Sequence, residues 1–196
     1  MRKLTLDILD AIQPEYDKFQ KIEPFNARLN EYTSQFAVNN QSWEEYHSEL
    51  TSVTFDWKEI KYSDVVEKKI DIKKVLPNNV GVYCFIVRPI NLINDLPRFV
   101  YYVGIAGANG SERPLSERIN DYFAKSKLKK RDAVMMLIFK YYRNVYINYS
   151  ELPTLPSGMT LETIETSLIG YFGTHILANI DDIPIKLRPQ RKAFNI

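Results

Sequence analysis

Residues 80–88 read VGVYCFIVR, and residues 98–106 read RFVYYVGIA. Both stretches are rich in β-branched and aromatic residues, which is the composition of a β-strand. The turn-forming residues LPNN precede the first stretch, and a polar connection bounded by Pro89 and Pro97 joins the two. We therefore predict an antiparallel hairpin with an enlarged loop, which forms the centre of a small sheet.

Other elements follow on either side of this hairpin. The apolar spacing of residues 115–127 predicts a helix, and residues 133–149 (AVMMLIFKYYRNVYINY) predict one or two strands with a bend near Arg143 and Asn144. Thr160 is expected to cap a last helix over residues 160–179. We predict an α/β fold of the α+β type, with a small, mainly antiparallel central sheet flanked by helices and a helical N-terminal extension over residues 1–75.

The bulk composition is that of a globular protein. The chain has 196 residues, of which 45% are hydrophobic and 13% aromatic, enough for one compact domain with an appended helical region. The single cysteine, Cys84, indicates a reducing compartment, and the two histidines, His47 and His175, lack the spacing of a zinc site. No apolar segment is long enough for a signal peptide or a membrane span, so we expect a cytoplasmic protein with no membrane partner.

Charge is unevenly distributed along the chain. Residues 1–75 carry 11 Lys and Arg against 14 Asp and Glu, whereas residues 76–196 carry 15 against 10. The segment KSKLKKR, from Lys125 to Arg131, has five basic residues in seven. Such a patch is either a solvated helix end or a surface that contacts nucleic-acid phosphates.

Glu165 occupies an unusual place in the last predicted helix. At 100° per residue from Leu161, the apolar side chains of this helix fall within about 140° of arc, and Glu165 lies inside that arc at about 40°. The opposite side carries Thr, Ser and Gly residues, where an ordinary surface glutamate would be solvated. Burying an unpaired carboxylate is costly, so Glu165 should be protonated, paired or bound to a metal ion.

Four features now stand in a fixed order: Gly81-Val82-Tyr83 in the first strand, Tyr102-Val103-Gly104 in the second, Arg118 on the next helix and Glu165 on the last. This ordered set resembles the GIY-YIG nuclease family, whose members cut phosphodiester bonds of DNA with a divalent metal ion. The resemblance covers about residues 76–179. Tyr122, one helical turn after Arg118, and Asn179, after the Leu168-Ile169 pair, match the family as well.

The resemblance implies a role for each of these side chains. Glu165 would bind Mg²⁺ or Mn²⁺, and Arg118 would contact the scissile phosphate. Tyr83 would act as a general base or position the water, Tyr102 would orient water or phosphate, and Tyr122 would join the same network. Gly81, Gly104 and Asn179 would give structural support. The basic segment, apart from the resemblance, could contact DNA backbone phosphates through Lys127, Lys129, Lys130 and Arg131.

We therefore expect a nuclease-like domain over residues 76–196 that acts as a Mg²⁺-dependent DNA endonuclease of the restriction, defence, mobile-element or repair type. Cutting both strands would require a homodimer or successive nicking. One alternative is a catalytically silent nuclease-like module that binds DNA for a partner. Another is an unrelated structural or interaction protein, in which the motif residues occur by chance and Glu165 pairs with a core arginine.

Overall fold

The sheet has four strands. The computed structural model describes residues 10, 11, 13, 14, 40–88 and 98–172, and for residues 40–43 and 45 it describes the backbone only. The strands are β1 (Lys58–Lys61), β2 (Gly81–Val87), β3 (Phe99–Ala106) and β4 (Val145–Glu151). They lie in the order β1-β4-β2-β3, and every neighbouring pair is antiparallel. The predicted α+β fold with an antiparallel sheet is confirmed.

The predicted hairpin is the pair β2 and β3. Their register places Tyr83 opposite Gly104, and on the other side of β2 the same tyrosine lies opposite Tyr149 of β4. The β2–β3 register shifts between Phe85 and Ile86, so one residue of β3 is left over in a β-bulge. The connection predicted between Pro89 and Pro97 lies outside the described residues.

Seven helices accompany the sheet within residues 40–88 and 98–172. They are α1 (Asn40–Leu50), α2 (Tyr62–Val66), α3 (Ile72–Val75), α4 (Leu115–Asn120), α5 (Lys125–Leu128), α6 (Asp132–Tyr141) and α7 (Leu161–Phe172), with 3₁₀ turns at Ala108–Gly110, Asp121–Phe123 and Tyr142–Asn144. The N-terminal region predicted to be helical, residues 1–75, therefore also supplies strand β1. Because β1 pairs with β4, the sheet crosses the predicted domain limit at residue 75.

The two faces of the sheet bury different side chains. One face, which we call the aromatic face, carries Tyr83 and Phe85 and packs against α2, α3, α4 and α6. The aliphatic face carries Val82, Cys84 and Ile86 and packs against α1 and α7. The alternation along β2 thus places the motif tyrosine on one side and the helix of Glu165 on the other.

Helix α7 begins as predicted. The hydroxyl oxygen of Thr160 accepts a hydrogen bond from the backbone N–H of Thr163 at 3.2 Å, which caps the helix. Four apolar side chains of its predicted core arc are buried on the aliphatic face, namely Leu161, Ile164, Leu168 and Ile169, and Phe172 is half-buried against them. Ile176, also predicted for this arc, lies outside the described residues. Full burial of one such side chain stabilises the fold by about 1.5–3 kcal/mol.

The side of α7 predicted to be solvated is partly covered, which corrects that expectation. Ser167 is buried and donates a hydrogen bond to Glu49 of α1 at 2.7 Å. Gly170 lies so close to Tyr46 of α1 that an added Cβ would come within 2.4 Å of its ring. Helix α1 therefore packs along α7, a contact that the sequence of α7 alone does not indicate.

Two predicted elements differ from the structure. The first half of residues 133–149 is helix α6, and only the second half, β4, is a strand; the bend falls where predicted, at Tyr142–Asn144. Five consecutive side chains of α6, from Val134 to Ile138, are buried, so the run shows no helical periodicity and resembles a buried strand. The helix predicted over residues 115–127 is divided by Asp121–Phe123 and by Ala124, whose backbone is extended.

Candidate functional site

Tyr83 lies in the core of the aromatic face, and Gly104 makes room for it. A Cβ added at Gly104 would lie 2.5 Å from both Cζ and Oη of Tyr83, closer than real Cβ atoms approach other heavy atoms. At Gly81 a Cβ would lie 2.2 Å from the backbone oxygen of Ser150 in β4. At both motif glycines, therefore, a neighbouring group occupies the space that a side chain would need.

We expect Gly104→Ala to destabilise the fold by about 3 kcal/mol, because overpacking of a filled core typically costs 1–3 kcal/mol and here the clash is with a fully buried ring. Gly110→Ala is the matched control. Gly110 has a positive φ of 73°, unlike Gly104, but no heavy atom lies within 4 Å of an added Cβ, so alanine there should cost only about 1 kcal/mol of backbone strain. Urea unfolding of both variants measures the difference, and an equal loss in the two would contradict the packing argument.

Three tyrosines that are distant in sequence meet on the aromatic face. The ring centroids of Tyr83 and Tyr122 are 5.8 Å apart, those of Tyr83 and Tyr102 are 6.2 Å apart, and those of Tyr102 and Tyr122 are 6.4 Å apart. Tyr83 and Tyr122 are fully buried, whereas Tyr102 is only half-buried. The phenol of Tyr102 is therefore the one that solvent can reach most readily.

A hydrogen-bond chain runs through this cluster. The hydroxyls of Tyr83 and Tyr122 are 2.8 Å apart, and Nη1 of Arg131 donates to the Tyr122 hydroxyl at 2.8 Å. The Arg131 guanidinium also lies over the Tyr122 ring, with Cζ 4.5 Å from the ring centroid. Arg131, which the sequence predicts to contact the DNA backbone, is thus part of the tyrosine cluster.

Arg118 approaches the same tyrosines from helix α4. Its side chain is half-buried, and its buried Nε has no hydrogen-bond partner among the described residues. Burial acts to lower the pKa of Arg118, but Tyr83, Tyr122 and Tyr102 raise it, and the net direction is upward. The guanidinium stays charged, and its half-buried side chain can donate to an anionic ligand.

The buried phenols are held in the protonated form. Burial raises the pKa of Tyr83, with a smaller increase from Tyr102 and a partly compensating decrease from Arg118. Burial likewise raises the pKa of Tyr122 well above its usual value. At neutral pH both groups are hydrogen-bond donors, so the buried Tyr83 is poorly suited to the predicted role of general base.

Asp121 is a site residue that the sequence analysis missed. Its carboxylate is 5% exposed and accepts hydrogen bonds from Arg113 at 2.8 Å and from Lys127 at 2.6 Å. Nη2 of Arg131 lies 3.7 Å from Oδ2 of the same carboxylate. The only signal in the sequence is an acidic residue between Arg118 and a basic segment, which does not distinguish a buried carboxylate from a surface one.

The four predicted DNA contacts therefore divide into two groups. Lys127 and Arg131 are bound to Asp121 or lie beside it. Lys129 and Lys130 are exposed at the turn between α5 and α6. The exposed pair remains suited to contacts with backbone phosphates, and the other two are committed to the fold of the site.

We expect Asp121→Asn to lower the free energy of unfolding by about 1–3 kcal/mol at pH 7, because hydrogen bonds to charged groups are lost within a buried cluster. Burial alone would raise the pKa of Asp121, but hydrogen bonds from Lys127 and Arg113 lower it overall. A lowered pKa gives stability that is present above the unfolded-state value of about 3.9 and is lost as pH falls through the folded-state value. The difference between wild type and variant should therefore shrink below about pH 4; a difference that grows in acid would contradict the assignment.

Glu165 is half-buried on α7, the helix that packs against the aliphatic face and contacts edge strand β3. The structure thus brings together Tyr83, Tyr102, Arg118 and Tyr122 on the aromatic face and places Glu165 on the helix that covers the opposite face. Asn179 lies outside the described residues.

Few side chains in the described part of the chain could bind a metal ion. Within residues 40–88 and 98–172, no group of three or more His, Cys, Asp or Glu side chains is arranged to hold a metal ion. Asp121 is occupied by Arg113 and Lys127, so it is a poor metal ligand. Glu165 offers one carboxylate, a hard oxygen donor that fits Mg²⁺ or Mn²⁺ when water and a phosphate supply the other ligands.

Two further findings concern membrane-spanning helices and similarity to known proteins. None of the described helices has the length and apolar character needed to cross a membrane. Comparison of the chain with known protein families, with curated proteins and with solved structures finds no match.

Proposed function

We propose that this protein is a DNA endonuclease that hydrolyses phosphodiester bonds with a divalent metal ion, Mg²⁺ or Mn²⁺. The observation that carries the proposal is the meeting of Tyr83, Tyr102, Tyr122 and Arg118, which come from two strands, a helix and a 3₁₀ turn. A charged, half-buried guanidinium beside three phenols is suited to an anionic, oxygen-rich ligand such as a phosphodiester.

The two accessible side chains are the ones to which we assign contact with the substrate. Arg118 would donate hydrogen bonds to the scissile phosphate and oppose the negative charge that develops on its oxygens. Tyr102, the half-buried phenol, would orient the attacking water through its hydroxyl. Tyr83 and Tyr122, which are fully buried and protonated, would hold Arg118 in position.

Glu165 is the residue that would hold the metal ion. When bound, the ion would supply Lewis-acid stabilisation of the phosphoryl oxygens and a water of lowered pKa. With one protein carboxylate, affinity for the metal should be weak until DNA is present. Lys129 and Lys130 would contact backbone phosphates and make DNA binding depend on salt without reading sequence.

The proposal extends to the location and the assembly of the enzyme. We place it in the cytoplasm, in keeping with its single cysteine, Cys84, which is buried and unpaired. One site that handles one strand at a time would cut a duplex as a homodimer or by two successive nicks.

A catalytically silent DNA-binding module is the second candidate. The observation in its favour is the burial of Tyr83, whose raised pKa removes the most direct general base from the site. A silent module would use Arg118 and the exposed lysines to bind DNA and would leave the phosphodiester intact.

Nicking of supercoiled plasmid tests these alternatives. We expect the wild type to produce open circles with Mg²⁺ and not with EDTA, and we expect Glu165→Ala to abolish the reaction. Glu44→Ala, at an exposed glutamate of α1, is the matched control and should cut like the wild type. DNA binding without cleavage by the wild type would favour the silent module, and neither binding nor cleavage would favour an unrelated structural protein.

A further inference from the structure

We propose that Arg131 is a positioning residue for this site: it holds Tyr122 in place, and Asp121 holds Arg131. This inference rests on the proposed nuclease function and adds a residue that the resemblance does not assign to catalysis. Arg131 lies between α5 and α6, nine positions beyond Tyr122, so its approach to the tyrosines depends on the chain turning back on itself.

Arg131 contacts Tyr122 in two independent ways. Its Nη1 donates to the hydroxyl at 2.8 Å, and its Cζ stands 4.5 Å from the ring centroid. The first contact fixes the oxygen, and the second fixes the plane of the ring. A lysine could supply the charge but not both contacts, because its ammonium group lacks the planar fork that stacks while it donates.

Asp121 fixes the other side of the guanidinium. Its Oδ2 lies 3.7 Å from Nη2 of Arg131, and the carboxylate is itself held by Arg113 and Lys127. The Arg131 side chain is 21% exposed. An arginine that served mainly to meet the DNA backbone would be expected to extend into solvent, as Lys129 and Lys130 do.

The contact reaches the substrate-binding groups through Tyr83. A guanidinium can only donate, so the Tyr122 oxygen accepts from Arg131, and the Tyr122 proton remains available to donate to Tyr83, 2.8 Å away. Tyr83 in turn neighbours Arg118. Loss of Arg131 should therefore let the phenol pair move and misplace Arg118, which lowers the rate of the bound complex more than its affinity.

A double-mutant cycle tests this arrangement. We expect Arg131→Gln to lower the single-turnover rate of plasmid nicking at saturating DNA by about tenfold, while the Kd for DNA changes by less than about twofold. In a Tyr122→Phe background, which keeps the ring but lacks the hydroxyl, Arg131→Gln should lower the rate by less than about twofold more, because Arg131 reaches Tyr83 only through that hydroxyl. Arg131→Lys, which keeps the charge, should bind DNA normally and still cut at least about fivefold more slowly.

Lys130→Gln provides the comparison for a true backbone contact. It should weaken DNA binding and reduce the salt dependence by about one phosphate contact. The inference is overturned if Arg131→Gln behaves like Lys130→Gln, or if its effect on the rate persists in full in Tyr122→Phe. A wild type that does not cut DNA overturns the proposed function instead, and coupling between the same two substitutions in urea unfolding then decides whether Arg131 holds Tyr122.

Discussion

Arg118→Ala is expected to lower the rate of Mg²⁺-dependent DNA cleavage by about 10²–10³-fold, the loss typical when one preorganised donor to a developing oxyanion is removed. Arg118 is the half-buried cation of the tyrosine cluster, and its Nε has no partner among the described residues. A guanidinium is charged throughout the neutral range of pH, so the effect should be present across that range. The measurement is the single-turnover rate at saturating DNA.

Two further variants show whether charge alone is sufficient at this position. Arg118→Lys keeps a cation but loses the planar fork, so we expect a rate between those of the wild type and Arg118→Ala. Arg143→Ala removes an exposed arginine from the 3₁₀ turn before β4 and should cut like the wild type. An Arg118→Ala protein that cuts within about threefold of the wild type would contradict the assignment, since a preorganised donor to the phosphate is worth far more.

Glu165→Gln is expected to reduce cleavage by about 10³-fold while DNA binding in EDTA stays equal to that of the wild type or becomes tighter. Glutamine keeps the shape of the side chain and removes the negative charge on which the metal would depend. Removing that charge also lessens repulsion of the phosphates, which gives the expected direction of the change in binding. Opposite effects on cleavage and binding are specific to a metal ligand near the substrate.

The control for this variant is its stability. Glu165 is half-buried on α7, so a change from glutamate to glutamine that unfolded the helix would also abolish cleavage. Urea unfolding within about 1 kcal/mol of the wild type would exclude that explanation. A folded Glu165→Gln protein that retains more than about a tenth of the activity would show that no metal ion depends on this carboxylate, since a lost metal costs several kcal/mol of transition-state stabilisation.

The sequence predicts those elements that a short stretch of residues specifies by its own composition or capping residue. The hairpin of β2 and β3 follows from two β-branched and aromatic stretches, and the start of α7 follows from the Thr160 cap. Helix α6 was predicted as a strand because burial of every side chain from Val134 to Ile138 removes the periodicity that distinguishes the two. The contact of α1 with α7 was missed because Ser167 and Gly170 are small enough to suit either solvent or a packed helix.

Some features of the candidate site could be predicted from the sequence, and others could not. Ordered motif residues predict that Tyr83, Tyr102, Tyr122 and Arg118 belong together, and they meet on the aromatic face. Asp121 and the role of Arg131 could not be predicted, because both depend on the break at Ala124, which turns the chain back towards Tyr122. Burial of Tyr83 keeps its phenol protonated. This burial is likewise a property of packing and not of sequence pattern.

The central claim is that Arg118, Tyr102 and Glu165 act on one phosphate, although α7 and the tyrosines pack on opposite faces of the sheet. A crystal structure of the protein with Mn²⁺ and a duplex that carries a non-cleavable linkage, with the manganese located by its anomalous signal, tests it most directly. We expect a single phosphate in contact with Arg118 and Tyr102, with manganese bound to the carboxylate of Glu165 and to an oxygen of that same phosphate. Manganese away from Glu165, or DNA bound on a surface that does not include Arg118, would contradict the claim.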